Sequence, residues 1–80
     1  MKLTVLGIGR LGLGVALLAS SKGHDVLGVD ISQKYVDSIN DQTFRSSEPE
    51  YNDLIVGSKL RATTSLKLGI EHSDIIFIMV

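Results

Sequence analysis

An α/β fold with a parallel sheet is predicted by three features of this 80-residue chain. Short apolar runs alternate with segments of helical periodicity. A glycine-rich turn separates the first run from the first helix, and the last run is apolar at every position. Such alternation implies right-handed crossovers between parallel strands, and a strand with no polar alternation suits burial on both faces. The order read along the chain is β-α-β-α-α-β-α-β, without internal repeat or low-complexity linker, and the expected strand order is 3-2-1-4.

Lys2–Leu6 is a β-branched and aliphatic run that stops at Gly7, as a buried strand does. Residues 11–22 read as a helix in which Leu11, Val15 and Leu18 form one stripe, with Leu13 and Leu17 beside it. Gly23 fits the left-handed position that closes a helix, and Lys22 complements the helix C-terminus. Asp25–Val29 is the second strand, ended by Asp30. Ser32 caps a helix with Val36 and Ile39 on its apolar face and Tyr35 flanking. Residues 41–47 form a polar connection anchored by Phe44. Ser47-Glu48-Pro49-Glu50 has capping-box spacing, with Pro49 in a first turn where its missing N–H costs nothing. Tyr51, Leu54 and Ile55 give that helix one apolar face, and Gly57 ends it. Leu60–Thr63 is a short third strand. Ser65 opens a brief helix carrying Leu66 and Ile70, and Asp74 leads into the final strand, Ile75–Val80.

Composition narrows the function classes. With 44% hydrophobic residues and a net charge of −1, the chain is one globular unit, and it buries only roughly 60% of its unfolded surface. Lys and Arg are scattered, so there is no electrostatic case for nucleic acid or an anionic membrane. The absence of cysteine removes disulfides, thiolate metal sites and a thiol nucleophile. The longest apolar run, Ile75–Val80, is far below the ~20 residues that span a bilayer. No signal segment is legible at the N-terminus, so the cytoplasm is the expected location.

Gly7-Ile8-Gly9-Arg10-Leu11-Gly12 is a G-x-G-x-x-G between a strand and a helix. Each glycine has a physical reason. Gly7 permits the tight turn, Gly9 lets a pyrophosphate approach the backbone, and Gly12 lets the helix pack close to the strand. The N–H groups of the segment then face an anion from a helix N-terminus. The motif alone is weak evidence, but here it has strand, helix, second strand and an acid in order. Asp30 lies 18 residues after Gly12, near the ~20 expected of the residue that binds adenosine ribose hydroxyls. An aspartate there repels a 2′-phosphate, so a Rossmann-type site for NAD rather than NADP is expected. Arg10 reaches either a phosphate or solvent. His24 reads as a surface turn residue, Asp74 as a turn residue, and His72 with Glu71 has no partner identifiable from spacing.

The chain resembles the N-terminal NAD-binding domain of the UDP-glucose/GDP-mannose dehydrogenase family. The likeness runs through Met1–Gly12, Gly23–Asp30, Glu48-Pro49, Leu60-Arg61-Ala62-Thr63-Thr64 and Ser73–Val80, with the spacing from Asn40 to Glu48-Pro49 also matching. Glu48-Pro49 and Leu60–Thr64 are the more specific pieces. The resemblance implies oxidation of a nucleotide sugar's C6 alcohol to a carboxylate, with two NAD per turnover and a cysteine-linked intermediate. It implies NAD contacts at Gly7, Ile8, Gly9, Arg10, Leu11 and Gly12, particularly through the Leu11 backbone, and at Asp30. The family's basic residue five positions after the aspartate is Tyr35 here; Lys34, one place early, is the candidate for that contact. Glu50 replaces the family's glycine after Pro49.

Family members are several times longer, and their catalytic cysteine, lysine and sugar-nucleotide site lie beyond this length. Residues 1–80 are therefore expected to be the N-terminal portion of a dinucleotide-binding domain, which binds without catalysing. A second reading is an NAD-sensing regulatory module of a potassium-transport type system. Such modules share Gly9–Gly12 and Gly23–Asp30 but are not expected to carry Glu48-Pro49 or Leu60–Thr64. As an uncharged edge strand without proline, Ile75–Val80 is expected to drive self-association.

Overall fold

Leu3 and Val5 point to one side of the first strand and Thr4 to the other, and all three are buried, so this strand lies at the centre of the molecule. A computed structural model describes residues 1–79. Its strands are β1 (Lys2–Leu6), β2 (Asp25–Val29), β3 (Arg61–Thr63) and β4 (Ile76–Ile78). All pairings are parallel, in the order β3-β2-β1-β4. The expected order is therefore the observed one. The expected strand Ile75–Val80 is shorter, and Val80 lies outside the described residues.

The helices are α1 (Arg10–Ser21), α2 (Gln33–Asn40), α3 (Pro49–Ile55) and α4 (Leu66–His72). On one face of the sheet Leu3, Val5, Val26 and Ala62 meet Leu13, Ala16 and Leu17 of α1, Val36 and Ile39 of α2 and Ile55 of α3. On the other face lies α4. A Cβ at Gly69 would overlap Val29 and stand 3.4 Å from Thr4 Cγ2, so the helix lies directly on the strands. The Thr4 hydroxyl donates to the Gly69 carbonyl at 2.7 Å, which satisfies the buried polar group of β1.

Local signals explain the boundaries. Ser32 Oγ accepts from the Tyr35 N–H at 3.2 Å, and Ser65 Oγ from the Leu68 N–H at 3.1 Å, so both expected caps form. α1 closes with Gly23 N–H to the Ser20 carbonyl and His24 N–H to the Ala19 carbonyl, a Schellman pair. One expectation is corrected, and two helices show faces that periodicity leaves open. The cap of α3 is Glu48 rather than Ser47; Asn52 instead ties down Ser46 through both its N–H and its carbonyl, which holds the chain extended one residue further. In the α1 stripe Leu11, Val15, Leu18, Val15 packs against the core while Leu11 and Leu18 are exposed. Leu13, Ala16 and Leu17 are the buried positions, whereas Leu11 is 73% exposed. Gly12 and Gly14 set this rotation, since they present bare backbone to the Gly7 turn and to Tyr51. Likewise Leu66 and Ile70 of α4 are exposed, and Gly69 is its buried residue.

The two sheet edges differ. Along the outer edge of β3, the Asn40 side chain bonds both Ala62 backbone groups, N–H at 2.8 Å and carbonyl at 3.0 Å. Gln42 does the same for Gly57 and Ser58 just before the strand. These amides occupy groups that would otherwise pair with another strand. The edge of β4 carries Phe77 and Ile78 partly exposed.

Candidate functional site

Register places the site. Leu6 pairs with Val29, so the residues that follow, Gly7 and Asp30, leave adjacent strands at the same carboxyl end. The order 3-2-1-4 reverses direction at β1, and such a reversal leaves a crevice at the carboxyl ends of the strands.

Gly7 has φ +87° and its N–H donates to the Val29 carbonyl at 2.8 Å. That backbone conformation is strained for any residue with a Cβ. Ile8 turns its side chain fully inward, where a Cβ at Gly28 would come within 2.7 Å of Ile8 Cγ2. Gly9 caps α1 in extended conformation, and a Cβ there would meet nothing within 4 Å. At Gly12 the added Cβ would overlap the Gly7 carbonyl and lie 3.2 Å from Met79 Cβ. The motif thus shows one turning glycine, one facing open space and one pressed against the turn, the division that backbone approach by an anion requires. The first turn of α1 holds no acidic residue, so no carboxylate of its own helix opposes that anion.

The other expected residues are placed as follows. Asp30 accepts from the Ser32 N–H at 3.2 Å through one carboxylate oxygen. Arg10 forms an ion pair with Glu48, drawing its exposed guanidinium toward the start of α3. Leu11 lies in the first turn of α1 with its side chain in solvent. Lys34 is exposed and lines a shallow hollow with Ser32, Tyr35, Thr43 and Arg45. The geometry therefore brings Gly7–Gly12 and Asp30 together, with Lys34 at the margin.

Tyr35 has a part that its sequence context did not signal. Its hydroxyl donates to the Ile8 carbonyl, and its ring meets Phe44 edge-on at 5.0 Å and 80°. Burial, and secondarily the Asp30 carboxylate, push its phenol up to about 12. The only hint was that Tyr35 and Phe44 are isolated aromatics in polar surroundings.

A second polar cluster lies at the opposite, amino end of β2. Arg61 Nη2 stands 2.9 Å from Asp25 Oδ1, and His72 Nε2 is 3.0 Å from the Asp25 carbonyl. The Arg61 hydrogen bond is the main cause holding the Asp25 carboxyl below its ordinary range. A cavity of about 780 Å³ is beside this cluster, between Asn40, Lys59, Arg61, Leu68 and His72. It contains no residue of the glycine motif. His24 is half-buried rather than fully at the surface, with Nδ1 unpartnered. Among the described residues no group of three metal-ligating side chains occurs, and no helix is long and apolar enough to cross a membrane.

Comparison with known proteins agrees with this geometry. The chain is 37% identical over 84 residues to a GDP-mannose 6-dehydrogenase of Pseudomonas savastanoi pv. phaseolicola, covering 100% of this chain and 19% of that protein. It is 34% identical over 79 residues to a UDP-N-acetyl-D-mannosamine dehydrogenase of Methanococcus vannielii, covering 99% of this chain and 18% of that one. The fold superimposes on the crystal structure of a GDP-mannose dehydrogenase from Pseudomonas aeruginosa with a TM-score of 0.92 and 33% identity, covering 100% of this chain and 19% of the other. The chain thus spans about a fifth of the length of these relatives. Nothing in these matches supports the potassium-transport reading. Residues 1–80 match the family described as "UDP-glucose/GDP-mannose dehydrogenase family, NAD binding domain", and the chain belongs to that family.

Proposed function

We propose that residues 1–80 form the N-terminal portion of the NAD-binding domain of a nucleotide-sugar 6-dehydrogenase. In this reading Gly7, Ile8, Gly9, Arg10, Leu11 and Gly12 receive the pyrophosphate, chiefly through backbone N–H groups. Asp30 takes the adenosine ribose hydroxyls, and Lys34 borders the adenosine side. The observation that carries it is the open backbone at Gly9, flanked by the turn at Gly7, with Asp30 just past the same carboxyl end of the adjacent strand. NAD, when bound, supplies the hydride acceptor for alcohol oxidation. These residues bind and orient it, whereas substrate and the thiol chemistry belong to other parts of the parent enzyme. The cysteine-free chain is expected to show no turnover by itself. A cytoplasmic enzyme without nucleic-acid or membrane partners fits its charge and composition, and we assign self-association to the β4 edge.

Calorimetric titration with NAD and NADP tests the cofactor reading. Affinity for NAD is expected at about 1 mM or weaker, because little ligand surface is covered. NADP is expected to bind more weakly still, and Asp30→Ala to narrow the gap by removing the charge that repels a 2′-phosphate. Equal or tighter binding of NADP to the unaltered chain contradicts the assignment of Asp30.

A further inference from the structure

The glycine turn is held by a side chain that the cofactor assignment leaves unused. The Tyr35 hydroxyl reaches across 27 residues of sequence to the Ile8 carbonyl. Tyr35 is itself fixed at both ends, its backbone N–H by Ser32 Oγ at 3.2 Å and its ring by Phe44. No cis peptide bond occurs among the described residues, and in a trans peptide the N–H points opposite to the carbonyl. Holding the Ile8 carbonyl therefore also fixes the direction of the Gly9 N–H, at a motif glycine that faces open space. The phenol, pushed up to about 12 by burial and by Asp30, remains a neutral donor throughout the neutral pH range.

We propose that Tyr35 is a positioning residue for the dinucleotide site, setting through the Ile8 carbonyl the orientation in which the Gly9 N–H meets a diphosphate. The proposal rests on the NAD reading above. A basic side chain at this position would act on a ligand by charge; tyrosine acts on the protein's own turn. Its loss therefore penalises ligands that carry a diphosphate and spares those that do not.

Tyr35→Phe keeps the ring against Phe44 and removes only the hydroxyl. NAD, ADP and adenosine are titrated against both proteins while backbone amide resonances are followed. A loss of about 3- to 10-fold is expected for NAD and ADP, the range of one hydrogen bond, with adenosine unchanged. In the free variant the Gly9 and Arg10 amides should shift while those of β2 stay in place. Unchanged NAD affinity overturns the proposal. So does an equal loss for adenosine, which marks a merely structural role. Phe44→Leu, which loosens the ring but keeps the hydroxyl, should give a smaller loss with the same dependence on phosphate; an equal loss for all three ligands counts against the proposal. If the unaltered chain binds neither NAD nor ADP, the cofactor reading falls and this inference with it. Failure of the inference alone leaves wild-type binding intact.

Discussion

Gly12→Ala is expected to remove a large share of the chain's stability, whereas Gly9→Ala three residues earlier leaves it almost unchanged. The new methyl at Gly12 would overlap the Gly7 carbonyl and press on Met79. A backbone carbonyl cannot rotate out of the way as a flexible side chain does, so α1 must lift from the turn. Overpacking of this kind costs about 1–3 kcal/mol and occasionally more. A chain of this size has only about 4–12 kcal/mol in total, so the loss is a large share. Thermal unfolding followed by circular dichroism should show a midpoint lower by roughly 10–20 °C, or no cooperative transition. The same methyl at Gly9 enters open space and is expected to shift stability by less than about 0.5 kcal/mol, yet to weaken NAD binding by occupying the approach to the backbone. An unchanged midpoint for Gly12→Ala contradicts the packing role assigned to that glycine.

The second large effect is expected at the β4 edge. β4 pairs with β1 on one side, and Ile78 is 68% exposed, with Ile75 and Phe77 also partly in solvent. The strand has no charge, proline or bulge to discourage pairing, in contrast to β3, where the Asn40 amide occupies the Ala62 backbone groups. The 80-residue chain is therefore expected to sediment as dimers or larger species at high micromolar concentration. Ile78→Lys should shift the population to monomer without loss of helix signal, because the lysine enters solvent and repels its counterpart in a second copy. A stable, cooperatively folding monomer of the unaltered chain at that concentration contradicts self-association through β4.

What could be read from the residues follows from how local each signal is. β1 and β2 were delimited by apolar runs ending at Gly7 and Asp30, and they occupy those positions. Ser32 and Ser65 were legible because a cap acts within three residues. The rotation of α1 was not, since the helix is apolar on two stripes and periodicity does not say which one meets the sheet. That choice is made by Gly12 and Gly14, where missing side chains allow contact with distant backbone and with Tyr51. At the site, the glycine spacing and Asp30 were visible as a pattern. The bond from Tyr35 to Ile8 and the pair of Arg10 with Glu48 join residues 27 and 38 positions apart. No local rule couples such positions. The exposure of Leu66 and Ile70 in α4 was not legible, because an apolar sequence states a preference for burial without naming what covers it, whereas the exposure of β4 follows from its expected place at the sheet edge.

The proposed function requires that the anion-facing turn at Gly9, not the cavity beside Arg61 and His72, receives the dinucleotide. Mapping amide resonances during titration with NAD tests it most directly. Gly9, Arg10, Leu11, Gly12 and Asp30 should move together along one saturating curve, and Leu68 and His72 beside the 780 Å³ cavity should stay still. Shifts confined to that cavity, or a glycine turn that does not respond at saturating NAD, contradict dinucleotide binding at the Gly9 turn.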